Sequence, residues 1–206
     1  TPGFLDLQVN GGGDVLLNTT PTADGMSAIA AAHRRFGTVG ILPTVITDRP
    51  EVLAEVAKAA FAAKGRQGIL GLHIEGPHIS AARRGTHAEN LVRPLDATTI
   101  AIVKALRHAG IAVMITLAPE AATLAQIAEL AASGAVVSLG HTDATADQTR
   151  AALVAGASCF THLFNAMSPM LNRSPGVVGA AINSGAYAGI ICDGFHVADE
   201  MVGLAI

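Results

Sequence analysis

The sequence predicts an α/β fold of the (β/α)8 TIM-type barrel, with the chain supplying seven of the strands. Three observations carry this reading. Seven short apolar runs alternate with segments of helical spacing, the pattern of a parallel sheet with covering helices. Polar residues follow almost every run, as they do where strand ends open onto the active face of a barrel. No run leads into a glycine-rich phosphate loop; Asn10-Gly11-Gly12-Gly13 has neither the dinucleotide-binding nor the P-loop spacing.

The elements follow in order. Phe4 to Val9 is a first strand, and the glycines after it form a loop suited to close backbone approach. Asp24 to Arg35 has helical spacing, with Asp24 as its N-cap. Gly40 to Ile46 is the second strand, and Pro50 opens a helix running to about Lys64. Ile69 to Ile74 is the third, followed by a long aperiodic stretch, Gly76 to Pro94, of the kind that usually carries function. Asp96 to His108 is a helix and Ala112 to Leu117 the fourth strand; Pro119 or Glu120 then starts a helix ending near Ser133-Gly134. Val136 to Leu139, the helix Ala144 to Ala155, and Ser158 to Thr161 come next. An irregular connection from Phe164 to Gly179 leads to a seventh strand, Ala188 to Cys192. A full barrel takes about 250 residues and an eighth strand, so the reading expects residues 1–206 to be a single barrel domain cut short at its C-terminal side.

Composition narrows the function classes. Half of the 206 residues are hydrophobic but only 3% are aromatic, so the core is built from Ala, Val, Ile and Leu. Charged residues are 14% and the formal net charge is -3. That is well below the usual quarter, and it points to a surface partly covered by another domain or subunit. With no basic run and no aromatic ladder, nucleic acid is excluded as a partner. No uncharged run reaches membrane-spanning length, so no membrane role is expected. Cys159 and Cys192 both lie in apolar runs and are expected as buried thiols, which fits the cytoplasm.

Three strand ends carry the chemistry. The run into Glu75 stops at Gly76-Pro77, and two later runs end at His141 and His162. Strand ends converge in a barrel whatever their sequence spacing, and one carboxylate with two imidazoles is a catalytic metal set with an open position. Three unrelated polar strand caps are the alternative. His73, two residues before Glu75, is expected in the core or behind the ligands; His33 and His108, on helices, are expected in solvent. Of the loop histidines, His87 is a better substrate contact than His78. Arg173 could hold a phosphate by a bidentate pair, and Asp193 and His196 could orient substrate at the rim.

Six motifs then carry a resemblance over essentially the whole chain. They are Pro2-Gly3-Phe4-Leu5-Asp6, Leu72-His73-Ile74-Glu75-Gly76-Pro77, Gly85-Thr86-His87, Leu139-Gly140-His141-Thr142, Thr161-His162-Leu163-Phe164-Asn165-Ala166-Met167 and Asp193-Gly194-Phe195-His196. Together the sequence resembles the N-acetylglucosamine-6-phosphate deacetylases of the amidohydrolase superfamily, metal-dependent (β/α)8 barrels. The resemblance implies removal of the acetyl group from N-acetylglucosamine 6-phosphate, in amino-sugar catabolism. It implies that Glu75, His141 and His162 bind the metal, usually zinc, with Fe2+ or another divalent ion as alternatives. Substrate contacts would come from Thr86, His87, Asn165, Ala166, Arg173, Asp193, Gly194, Phe195 and His196. Relatives are commonly homodimers that carry a small β domain beside the barrel, and residues 1–206 are expected not to include that domain.

Two departures stand out. Many relatives have His-x-His on the first strand for a second metal; here it reads Gln8-Val9-Asn10, so one metal is expected. The family's catalytic aspartate ends the eighth strand, so the general base is expected beyond Ile206 and these residues alone are expected to be inactive. A related N-acetylated sugar phosphate as substrate, or a non-catalytic chain binding metal or sugar phosphate, are the rival readings.

Overall fold

The computed structural model describes residues 2–206. It is an α/β fold with one large sheet. In chain order come β1 (Phe4–Val9), β2 (Gly11–Gly12), β3 (Val15–Leu16), α1 (Ala23–Arg34), β4 (Thr38–Ile46), α2 (Pro50–Ala63) and β5 (Gly71–Glu75). Next come α3 (Ala97–His108), β6 (Ala112–Leu117), α4 (Leu124–Ala132), β7 (Val136–Leu139) and α5 (Ala146–Val154). The last elements are β8 (Cys159–Phe160), α6 (Gly176–Ile182), β9 (Tyr187–Ala188) and α7 (Asp199–Ala205). Seven strands join in the order β1-β4-β5-β6-β7-β8-β9, so each neighbour in the sheet is the next sheet strand in sequence. Parallel pairing with helical crossovers accounts for that order; Thr44 lies opposite His73, Ile46 opposite Glu75, and Leu139 opposite Phe160.

The chain divides into two compact units. The first runs through Gly76 and includes Asp96–Ile115 and Ser133–Ala135. Its core is aliphatic: Met26 and Ile29 of α1, Ile41 of β4, Val56 of α2 and Leu72 of β5 are buried. The second comprises Pro77–Leu95, Thr116–Ala132 and Val136–Ile206. There Ile127 and Leu130 of α4, Val137 and Leu139 of β7 and Phe160 of β8 are buried. No helix among the described residues is long and apolar enough to cross a membrane.

Helix starts follow local chemistry, with one correction. Asp96 caps α3 by accepting from Thr99 N at 2.7 Å, and Thr145 with Gln148 forms a capping box on α5. Asp24 does not cap α1. Thr22, in extended conformation, does so by accepting from Gly25 N at 2.9 Å, while Asp24 sits in the first turn and pairs with Arg66 at 2.6 Å. The glycine loop after β1 is partly a hairpin, Gly11–Gly12 against Val15–Leu16. The connection before β9 contains α6, a helix of Gly, Ala, Val and Ile with no polar face to announce it. The final strand is shorter and earlier than its apolar run, because only Tyr187 and Ala188 find ladder partners, Cys159 and Phe160. Cys192 is therefore exposed rather than buried, whereas Cys159 is buried and burial pushes its thiol pKa up.

Gly71 opens β5 against Ala112: a Cβ there would stand 2.0 Å from the Ala112 carbonyl oxygen. Gly71→Ala must displace backbone, so a loss of at least about 1–3 kcal/mol in unfolding free energy is expected by urea titration.

Candidate metal centre

Each strand end delivers its side chain by a local device. On the first unit, β5 carries Glu75 to a buried position, 2% exposed, and Gln8 Nε2 donates to Glu75 Oε1 at 2.7 Å. That bond fixes the carboxylate's rotation and occupies one of its oxygens. On the second unit, β7 leads through Gly140 to His141. A Cβ on Gly140 would fall 2.9 Å from Thr161 Cβ and 3.0 Å from Thr116 Cγ2, so only glycine lets the chain pass here without displacing the neighbours. β8 leads through Thr161 to His162.

Both histidines have left-handed backbones, His141 at φ 47° and His162 at φ 37°. Phe164 and Ala166 follow at φ 78° and 51°. A non-glycine residue held there costs about 1–3 kcal/mol, which the surrounding bonds must offset. What the strain achieves is direction. His141 Nδ1 lies 2.9 Å from the Arg83 carbonyl oxygen and His162 Nδ1 lies 3.1 Å from that of Asn165. A carbonyl only accepts, so each Nδ1 carries the hydrogen and each Nε2 of a neutral ring presents a lone pair. Those two Nε2 atoms face each other at 3.0 Å. Two bare lone pairs at that distance repel, and a proton or a metal ion between them removes the conflict. Among the described residues, Glu75 of the first unit and His141 and His162 of the second are the candidate metal ligands, and all three are buried. A carboxylate and two imidazoles suit zinc or another borderline divalent ion.

The remaining candidates fall into different surroundings. His87 is buried with its ring 4.4 Å from that of His141, tilted by 54°. Thr86 beside it is exposed. Asn165 has its side-chain Nδ2 buried with no hydrogen-bond partner among the described residues. Ala166 uses its carbonyl to accept from Thr142 N at 3.0 Å. Arg173 is exposed. Asp193 closes an exposed turn, accepting at Oδ1 from Phe195 N and His196 N, both at 2.9 Å, with Oδ2 2.6 Å from His196 Nδ1. The side chain of Phe195 stands in solvent, 93% exposed.

His73 is buried, with Nδ1 2.9 Å from the Leu7 carbonyl oxygen, as its place behind Glu75 implied. His78 is buried too, with Nδ1 3.0 Å from the Pro94 carbonyl oxygen. His108 is exposed, but His33 departs from expectation: its Nε2 lies 2.9 Å from the Gly11 carbonyl oxygen and braces the hairpin. Three hydroxyls were overlooked in the sequence. Thr161 Oγ1 lies 2.6 Å from both Thr116 Oγ1 and Ser138 Oγ, all three buried. Their signal was a hydroxyl inside an apolar run, where nothing but another hydroxyl or backbone could satisfy it.

Two outcomes follow. Backbone N–H donors of His196 and Phe195, then the His196 ring, lower the Asp193 pKa from 3.8 to about 2. Its folded pKa being depressed, whatever stability the turn gains from this carboxylate is present above pH 3.8 and disappears as pH falls through about 2. Carboxyl-carbon NMR against pH should show that midpoint, and it should move back up in His196→Ala. At the candidate metal centre, Glu75→Gln or His162→Ala should weaken zinc binding by more than the roughly 10–100-fold that loss of an outer hydrogen-bond partner costs, read by competition with a chromophoric chelator.

No protein-family model matches the chain. Curated relatives do. It is 48% identical over 198 residues to the N-acetylgalactosamine-6-phosphate deacetylase of Shewanella sp. (strain ANA-3), covering 95% of this chain and 50% of that one. The human N-acetylglucosamine-6-phosphate deacetylase is 37% identical, covering 95% and 51%. Among solved structures, N-acetylglucosamine-6-phosphate deacetylase from Pasteurella multocida superposes with a TM-score of 0.94 at 37% identity, over 100% of this chain and 54% of that chain. A mutant of the Mycobacterium smegmatis enzyme in complex with N-acetyl-D-glucosamine-6-phosphate superposes at 0.88 and 37% identity, over 99% and 54%. The chain spans about half the length of the curated relatives it matches. The resemblance carried by the motifs therefore holds: along essentially its whole length the chain matches about half of an N-acetylhexosamine-6-phosphate deacetylase of the amidohydrolase superfamily.

Proposed function

We propose that this chain supplies the metal ligands and substrate contacts of a deacetylase that converts N-acetylglucosamine 6-phosphate and water to glucosamine 6-phosphate and acetate. The observation that carries the reading is the opposed pair of Nε2 atoms of His141 and His162, 3.0 Å apart, with each Nδ1 committed to a carbonyl. Glu75 completes the ligand set, and the ion is single. Gln8, where a second metal would need an imidazole, instead spends its amide on Glu75. What a divalent ion, in our reading zinc, supplies in such a set is Lewis acidity toward the acetamide carbonyl and the attacking water.

The chain's own groups bind and orient. His87, buried against His141, donates to the acetyl carbonyl or a sugar hydroxyl. The unpartnered Nδ2 of Asn165 gives the sugar phosphate a buried donor, and leaving it unpaired in the free chain is a cost that substrate removes. Arg173 anchors the 6-phosphate, with Thr86, Ala166 and the Asp193 to His196 turn as further substrate contacts. Anchoring at a remote charged group positions the acetamide for attack. The reading carries with it a cytoplasmic homodimer; both cysteines being free thiols supports the compartment.

A second substrate reading has its own support: a relative at 48% identity acts on the galactosamine epimer. Acetate release by the intact protein from the two epimers, each with and without phosphate, separates the cases. Both phosphorylated sugars are expected to exceed their plain counterparts, and Arg173→Ala should raise KM for the phosphorylated sugar about 10–100-fold while leaving the plain sugar unchanged. Equal rates with and without phosphate would remove the substrate assignment.

A further inference from the structure

Holding His141 by one loop carbonyl transfers the problem to the loop. The Arg83 carbonyl that accepts from His141 Nδ1 at 2.9 Å ends a three-residue 3-10 turn, Ala81–Arg83, in a long irregular connection. Such a segment does not hold a carbonyl in place by itself. Bonds returning to the His141 loop do. Arg83 Nε donates to Asp143 Oδ1 at 2.8 Å, and Ser80 N donates to the His141 carbonyl at 2.8 Å. On the far side of the same loop stands Glu120. Its Oε1 accepts from Asp143 N at 2.7 Å and its Oε2 from Thr142 Oγ1 at 2.6 Å. Thr142 Oγ1 in turn accepts from Ala144 N at 3.0 Å.

These contacts close a circuit: His141 ring, Arg83 backbone, Arg83 guanidinium, Asp143, Glu120, Thr142 and back to His141. We propose that Glu120 and the Arg83–Asp143 pair are positioning residues for His141, holding its imidazole in the Nδ1–H form with Nε2 directed at His162. The inference rests on the metal-binding reading above. His162 is held by another carbonyl, that of Asn165, so it stands outside the circuit. That asymmetry separates the proposal from a general contribution to folding.

Side-chain exposure sharpens it. Arg83 and Asp143 are 36% and 49% exposed, and an ion pair in that setting adds little to global stability. A pair of little worth to the fold is nonetheless wired to a buried ligand. A merely structural role for it would therefore move neither histidine.

The test uses the chain with Asp143→Ala and Glu120→Ala, zinc as the probe, and side-chain 15N NMR of the histidines in metal-free protein. Asp143→Ala is expected to keep the wild-type thermal midpoint, to weaken zinc binding about 10-fold or more, and to shift the His141 ring toward a tautomer mixture while His162 keeps its signature. Glu120→Ala is expected to do the same more strongly, with Glu120→Gln restoring part of the affinity through its remaining carbonyl oxygen. Unchanged zinc affinity and an unchanged His141 ring in Asp143→Ala would overturn the proposal, as would equal shifts at both histidines. Wild-type chain that binds no zinc would instead defeat the metal reading, and the metal-free ring signatures would still decide whether the circuit positions His141.

Discussion

Two backbone carbonyls set the direction of the two buried histidine rings. By accepting from the Nδ1 atoms of His141 and His162, the carbonyls of Arg83 and Asn165 turn both Nε2 lone pairs toward one point, 3.0 Å apart. The price of that arrangement is distributed around it. Both histidines take left-handed backbones, the segment after His162 repeats the strain at Phe164 and Ala166, and Gly140 must lack a side chain so that the chain can pass Thr161 and Thr116. Strain of this kind persists where the surroundings over-determine it, and here a hydroxyl cluster, a carboxylate and several backbone bonds do so. Thr142 is the meeting place: its N–H bonds the Ala166 carbonyl and its hydroxyl bonds Glu120, so the loops after β7 and β8 are tied together next to the two histidines they carry.

Much of this was legible because a parallel sheet writes its active face into sequence in a regular way. Apolar runs that end in Glu75, His141 and His162 could be found one at a time, without knowing the fold, and their ends were then expected to meet. The second-row residues were not legible for the opposite reason. Arg83 and Asp143 are sixty positions apart, Glu120 looked like the start of a helix, and nothing in their local sequence says that they bond one another. Pairings between loops are set by tertiary contact and have no period to read. The same holds for Gln8, whose residue type argues against a second metal but says nothing of its bond to Glu75.

Where the reading of elements slipped, the cause was a local rule applied to the wrong neighbour. Asp24 and Thr22 are both good caps, and the one in extended conformation with its oxygen facing Gly25 N won. The run before Asp193 is apolar enough for a strand, yet only Tyr187 and Ala188 have ladder partners, which leaves Cys192 in solvent. α6 went unseen because a short helix of small apolar residues, six of its seven buried, has no polar face to give it a period.

The most direct measurement is anomalous diffraction at the zinc absorption edge from crystals of the chain grown with zinc. The account predicts one peak, within bonding distance of His141 Nε2, His162 Nε2 and a Glu75 oxygen, with both Nδ1 atoms still on their carbonyls. A peak on the Nδ1 atoms, two peaks at the centre, or zinc bound elsewhere while the two Nε2 atoms stay empty-handed would contradict it.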